Sequence, residues 1–168
     1  VLPLIKGMLE EYMALFSSDK FNFCADETFD IGKGKTKAYA KEHGVHRMYL
    51  DYVKELCSFL VEKGKQPMFW GDVICAEPFL IKELPEEIVC LTWGYAPNQR
   101  EDESRKMAET GVKQYLCPGV GGWNQWLNLI ESSYENIVRM CSYAKKYKAI
   151  GILNTDWGDF GHINHPEY

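Results

Sequence analysis

The spacing of apolar side chains changes several times along the chain, and each change marks an element. Over residues 7–17, Met8, Leu9, Tyr12, Met13 and Phe16 recur close to every 3.6 residues with Glu10 and Glu11 opposite, which predicts an amphipathic helix. Residues 21–25 form a short apolar stretch closed by Asp26 and Glu27, the pattern of a strand that ends in two carboxylates. A Gly-rich loop over residues 31–35 leads to a further helical region. From residue 46 to 63 a second helical stripe carries Tyr49, Tyr52, Val53, Leu56, Phe59 and Leu60, and Gly64 ends it. Residues 67–70 read as strand, residues 78–84 as a brief helix or turn, and residues 88–93 as the most β-branched and aromatic strand. A polar helix follows over residues 98–111, then a short strand at 114–117 stopped by Pro118 and Gly119. The apolar face of a long helix over residues 124–146 is drawn from Trp126, Leu129, Ile130, Ile137, Val138, Cys141 and Ala144, with Tyr147 just beyond it. The last strand spans residues 149–154 and runs into Thr155, Asp156, Trp157, Gly158 and Asp159.

Five strands alternating with helices imply right-handed crossovers and a parallel sheet, an α/β fold. A doubly wound nucleotide-binding sheet would carry a phosphate loop after an early strand. Gly34, Lys35 and Thr36 imitate the tail of one, but the pattern needs glycine where this chain has Phe29. The strand ends carry different chemistry: Asp26 and Glu27, then Trp70-Gly71-Asp72, Trp93-Gly94-Tyr95 and Trp157-Gly158-Asp159. Several strands delivering polar and aromatic groups to one rim is how a (β/α)8 TIM barrel builds a site. Five strand-and-helix units do not close that barrel, so the expectation is a partial barrel spanning residues 1–168 as one domain, a piece of a longer chain.

Composition narrows the partners. With 168 residues and 46% hydrophobic content the chain suffices for one buried core, which excludes a disordered chain or a small disulfide scaffold. The formal net charge of −5 and the lack of a basic block give no support to nucleic-acid or membrane-surface binding. Six scattered cysteines without a CxxC pair read as buried thiols. Together with the lack of a signal-peptide pattern, they favour a reducing, cytoplasmic origin over a secreted one.

The segments at residues 21–34 (FNFCADETFDIGKG), 67–73 (PMFWGDV), 88–97 (IVCLTWGYAP) and 151–162 (GILNTDWGDFGH) resemble the catalytic domain of glycoside hydrolase family 20, the β-N-acetylhexosaminidases. In that family an Asp-Glu pair closes the fourth barrel strand, and tryptophans after the fifth, sixth and eighth strands wall the sugar pocket. The resemblance therefore implies strands four to eight here. It also implies hydrolysis of terminal β-linked N-acetylhexosamine with retention, through attack by the substrate's own acetamido oxygen and with no cofactor or metal. Two departures stand out. The glycine that commonly precedes the Asp-Glu pair is Ala25, and the family's tyrosine after strand seven has no clean match in residues 118–124. The family's sugar-binding arginine, near the first strand, matches nothing in this chain.

Glycoside cleavage needs a proton for the leaving oxygen and a group that stabilises positive charge near the anomeric carbon. Glu27 is the candidate general acid, its proton held by partial burial and a neighbouring negative charge, and Asp26 the candidate for orienting the acetamido group. Asp102-Glu103 is the same dipeptide in a solvated stretch, so only its position at a strand end singles out the first pair. Trp70, Trp93 and Trp157 each precede glycine at a strand end and are candidate pocket walls, with Tyr95 and Trp123 beside them and Asp159 placed for sugar hydroxyls. Trp126 falls on the helical stripe and is expected in the core, while Asp72 is a candidate for holding a loop. The His162-x-x-His165 spacing is too weak to assign a metal. A carbohydrate-binding or scaffold piece without catalysis, and a sugar hydrolase without acetamido preference, are the competing classes. An open barrel piece is also expected to self-associate through its sheet edges or concave face.

Overall fold

Elements form where the periodicity is strong, and their ends are set by backbone groups that need partners. The computed structural model describes residues 1–159; residues 160–168, which include His162 and His165, lie outside the described residues. The helices are α1 (Leu2–Met13), α2 (Lys37–His43), α3 (Val45–Glu62), α4 (Asp102–Thr110) and α5 (Ile130–Lys146). The strands are β1 (Lys20–Asn22), β2 (Gln66–Trp70), β3 (Val89–Trp93), β4 (Lys113–Cys117) and β5 (Gly151–Ile152). They form one five-stranded parallel sheet in sequence order, β1-β2-β3-β4-β5. An all-parallel sheet in sequence order, with helices in the connections, is the architecture of a partial (β/α)8 barrel.

The chain divides into two compact units, Val1–Cys90 and Leu91–Tyr168. In the first, β1 and β2 pair in parallel with Lys20 opposite Gln66 and Asn22 opposite Met68. α3 buries Tyr49, Leu50, Val53, Leu56, Cys57 and Leu60, one continuous stripe at helical spacing. Tyr52 and Phe59, expected on that stripe, are half-buried at its margin. The helix closes with the Lys65 N–H donating to the Leu60 carbonyl at 2.9 Å around Gly64, whose φ of +74° suits the left-handed residue of a Schellman ending. Phe69 on β2 is fully buried and stacks on Phe23 at 5.9 Å between ring centres.

In the second unit β4 and β5 pair in parallel, with Leu116 opposite Ile152, and a further bridge joins Gly119 to Thr155. Leu116, Met140 and Ala144 form a buried cluster against which Tyr143, Ala149 and Ile152 pack. A buried polar chain runs beside it. The Thr92 hydroxyl donates to Gln114 Oε1 at 3.0 Å, and Gln114 Nε2 donates to the Ser104 carbonyl at 3.0 Å. Gln114 thus has both ends of its amide satisfied, which a buried amide requires.

Four expectations are corrected. The long helix begins at Ile130, not near Asn124, because residues 123–129 form a loop that includes left-handed Asn124 (φ 59°). Trp126, expected in the core, lies in that loop and is 97% exposed. The buried face of α5 is Ser133, Asn136, Met140 and Ala144, so Ile130, Val138 and Cys141 of the expected stripe face outward. The first strand ends at Asn22 and not at residue 25, because Cys24 and Ala25 adopt φ of 67° and 69°, which no strand residue can.

None of the six cysteines is in a disulfide; Cys57, Cys75, Cys90 and Cys117 are buried, whereas Cys24 and Cys141, expected to be buried, are exposed. Burial pushes the Cys57 and Cys117 thiols up to about 12. A thiol raised in the folded state stabilises the fold fully below its unfolded value of about 8.5, and that contribution is lost as pH climbs towards 12. The melting temperature should therefore fall across this alkaline window. A disulfide reagent at neutral pH should modify Cys141 first and Cys24 more slowly, and the other four only on unfolding; fast labelling of all six would contradict the buried assignment.

Candidate functional site

The candidate residues fall into two sets, one in each unit. In the first unit, the chain leaving β1 makes an unusual turn: Cys24, Ala25 and Glu27 all have positive φ, at 67°, 69° and 49°, and none is glycine. Left-handed backbone costs about 1–2 kcal/mol per ordinary residue, so the turn persists only because its neighbours hold it. Four hydrogen bonds do so. Asn22 Oδ1 accepts from the Cys24 N–H at 2.9 Å, and the Cys24 carbonyl accepts from the Trp70 N–H at 2.9 Å. The Tyr49 hydroxyl donates to the Ala25 carbonyl at 2.9 Å, and Asp72 Oδ2 accepts from the Glu27 N–H at 2.9 Å.

Asp26 is half-buried on this turn and Glu27 is exposed, so the partial burial expected at Glu27 is found at its neighbour instead. Beside the turn lies a cavity of about 440 Å³ whose lining includes Glu27, Phe29, Ile31, Met48, Tyr49 and Tyr52. Trp70, at the end of β2, is only 6% exposed, and its indole N–H bonds the Cys24 sulfur. The Cys24 thiol is pushed up, first by burial and then by the charge of Asp26, against the lowering effect of that hydrogen bond. Burial, followed by the charge of Asp72, likewise keeps the Tyr49 phenol protonated well above its ordinary range.

The second unit gathers four of the aromatic candidates around Tyr95. Its ring stacks on Trp93 at 5.1 Å and 19°, and Trp123 meets it edge-on at 4.9 Å and 75°. The Trp157 indole donates to the Tyr95 hydroxyl at 2.9 Å. All four are half-buried. Gly119 is what lets the rings close up: a Cβ there would stand 2.7 Å from Trp123 and 2.8 Å from Tyr95. Asp159 is exposed.

Sequence reasoning missed the residue that holds this cluster. Asn136 on α5 is fully buried; its Nδ2 donates to the carbonyls of Gly94 (2.9 Å) and Ala96 (2.8 Å), and its Oδ1 accepts from the Gly119 N–H (3.1 Å). One amide therefore fixes the loop on either side of Tyr95 and the glycine beneath its ring. The available signal was its spacing: Asn136 lies three residues after Ser133 and four before Met140, on a face where polar residues must find partners. Tyr49 was placed on the buried stripe, but its hydroxyl's role on the Ala25 carbonyl was not readable. Among the described residues, no group of three or more His, Cys, Asp or Glu could hold a metal ion, and no helix is long and apolar enough to cross a membrane.

The fold defines a class, an α/β protein built as part of a (β/α)8 barrel, and solved structures share it. A β-N-acetylhexosaminidase from Bacteroides fragilis matches with a TM-score of 0.58 at 17% identity, over 80% of this chain and 28% of that one. A chitobiase from Flavobacterium johnsoniae matches with a TM-score of 0.62 at 19% identity, over 94% of this chain and 25% of that one. The chain thus spans about a quarter of the length of these proteins, and at such identities the likeness is one of fold. No family model matches the chain, and no curated protein does.

Two outcomes follow from the geometry. Replacing Asn136 by Ala strands two buried carbonyls and an amide, and should cost about 2–4 kcal/mol in denaturant unfolding while altering the tryptophan fluorescence of the folded state. Replacing Ala25 by Gly relieves a left-handed residue and should raise stability by about 0.5–1 kcal/mol, net of the greater freedom of glycine in the unfolded chain. A loss of stability in Ala25→Gly would contradict the strained turn.

Proposed function

We propose that this chain carries part of the active site of a retaining glycoside hydrolase that removes terminal β-linked N-acetylhexosamine residues. The observation that carries the reading is the Asp26-Glu27 pair on a turn held by four hydrogen bonds directly after a strand of the barrel-type sheet. The fold shared with two solved glycosidases, one of them a β-N-acetylhexosaminidase, supports it.

In this reading Glu27, as a carboxylic acid, gives its proton to the glycosidic oxygen as the bond to the anomeric carbon breaks. The acetamido oxygen of the same sugar attacks that carbon, closing an oxazolinium ring. Asp26 accepts a hydrogen bond from the acetamido N–H and offsets the charge that develops on nitrogen. Water then opens the ring, with Glu27 carboxylate taking its proton, so configuration is retained and both carboxyl groups return to their starting state. The cluster of Trp93, Tyr95, Trp123 and Trp157 offers rigid apolar surface of the kind that stacks on pyranose C–H faces and acetamido methyl groups. Asp159 is exposed and is the candidate acceptor for sugar hydroxyls.

A second reading, a carbohydrate-binding piece without turnover, is favoured by one observation: Glu27 is exposed, whereas an acid active near neutral pH is better served by a desolvated carboxyl. Aryl glycosides separate the readings, assayed with the longest polypeptide that carries the chain. The hydrolase reading expects turnover of 2-acetamido sugars well above plain glucosides, and a fall of about 100-fold or more in Glu27→Gln on substrates with poor leaving groups. Binding of a thiazoline mimic of the oxazolinium ring with no turnover would establish the second reading. Full activity of both Glu27→Gln and Asp26→Asn would end the first.

A further inference from the structure

The turn that bears the carboxylates poses a question of its own. Three left-handed residues without a glycine among them, in a stretch of four, would relax if nothing prevented it. The hydrogen bonds of Asn22 and of the Trp70 backbone fall on Cys24, at the start of the turn. Beyond that point two side chains anchor the turn from outside it, one on each side of Asp26: the Tyr49 hydroxyl on the Ala25 carbonyl and the Asp72 carboxylate on the Glu27 amide, each at 2.9 Å. Both are supplied from elsewhere in the same unit, Tyr49 by the buried face of α3 and Asp72 by the chain just beyond β2. Tyr49 is 2% exposed and its bond is part-buried, whereas Asp72 is half-buried and its bond to the exposed Glu27 lies at the surface.

We propose that Tyr49 and Asp72 are positioning residues for Glu27, pinning the left-handed turn on both sides of Asp26 so that the two adjacent carboxyl groups leave the backbone in fixed directions. Successive side chains of an extended chain point to opposite faces. A left-handed residue at 27 breaks that alternation, so the bond from Asp72 sets the direction of the Glu27 side chain. Tyr49 can serve in this way at any working pH, because its buried phenol stays protonated and remains a donor. The role assigned to Glu27 rests on the hydrolase reading above, whereas the control of the turn does not.

The test separates the two. Nuclear magnetic resonance on the chain reads the backbone at residue 27 directly, through the φ-dependent coupling and the amide shift of Glu27. Asp72→Ala should abolish the left-handed coupling there, and Tyr49→Phe, which removes one oxygen and keeps the ring, should weaken it. Asp72→Asn retains a carbonyl oxygen that can accept from the Glu27 N–H and should restore the turn. In the longest polypeptide that carries the chain, Asp72→Ala should lower kcat by about 10–100-fold with KM changed less than about twofold, the pattern of a misplaced catalytic group. Asp72→Asn should recover most of that loss. An unchanged coupling at Glu27 in both Asp72→Ala and Tyr49→Phe overturns the proposal, as does a lost turn with unchanged kcat in a protein whose Glu27→Gln variant is inactive. If Glu27→Gln itself keeps full activity, the acid role falls, and the coupling at residue 27 still decides whether Asp72 and Tyr49 hold the turn.

Discussion

Parallel pairing is the constraint from which the rest of this structure follows. Two neighbouring strands that run the same way leave their carboxyl ends side by side, so the loop after one can be fastened by the loop after the other. The pairing of β1 with β2 does this for the carboxylates: Asn22 lies opposite Met68, and a few residues further on Asp72 reaches the Glu27 amide. The pairing of β4 with β5 does the same in the second unit, where the register continues past the strands to join Gly119 with Thr155. The Val120 N–H donates to the Thr155 carbonyl at 3.0 Å, and the Thr155 N–H to the Pro118 carbonyl at 2.8 Å. In both pairs the ladder hydrogen bonds outlast the regular strand and hold irregular chain in place.

That continuation explains why the two kinds of candidate residue behave differently. The carboxylates stand on a turn whose conformation is unfavourable for their residue types, and they depend on hydrogen bonds from outside it. The aromatic set stands on loops braced from behind by a buried amide, and its members also brace one another. The first arrangement stores strain and the second stores packing. Under the proposed hydrolase reading, a carboxyl group must be aimed to within a fraction of an ångström to transfer a proton, whereas a stacking surface tolerates small displacements, so the costlier device would fall where aim matters more.

The elements were legible in the sequence wherever burial alone decided them. The strands at β2, β3 and β4 and the helix α3 fall within a residue or two of the hydrophobic pattern, because their apolar residues repeat at the period of the element and end at Gly or Pro. The pattern failed where a polar group had a buried partner. On α5 the face that turns inward carries Ser133 and Asn136, whose side chains bond loop backbone at Val120, Gly94, Ala96 and Gly119. A scale that scores both as solvent-facing rotates the helix and puts Val138 inside. The strand before the carboxylates was overextended for a related reason: Cys24 and Ala25 are suitably apolar for a strand, and only their φ angles exclude it. The residues proposed for chemistry were found from their place after strand ends. Asn136 and Tyr49, which support them, were not, since spacing can place them on a buried face but does not name the partner of a supporting hydrogen bond.

The position of Tyr95 changes how the aromatic set has to be understood. The sequence offered the tryptophans as separate walls, each at its own strand end and each with its own claim on a sugar ring. In the folded chain they are not separate, because Tyr95 stacks on Trp93, receives the edge of Trp123 and accepts a hydrogen bond from Trp157. Removing Tyr95 would take one support from each of three tryptophans at once, whereas removing any one tryptophan leaves the other two held. Contacts that share a partner couple energetically, so losses on truncating these residues will not add, and the tyrosine will carry a larger effect than its own surface suggests. Gly119 and Asn136 stand behind it for the same reason: the absent Cβ gives the rings room, and the amide holds the backbone that keeps them there. The shape of this aromatic surface is thus a property of the cluster, set from the buried side by Asn136.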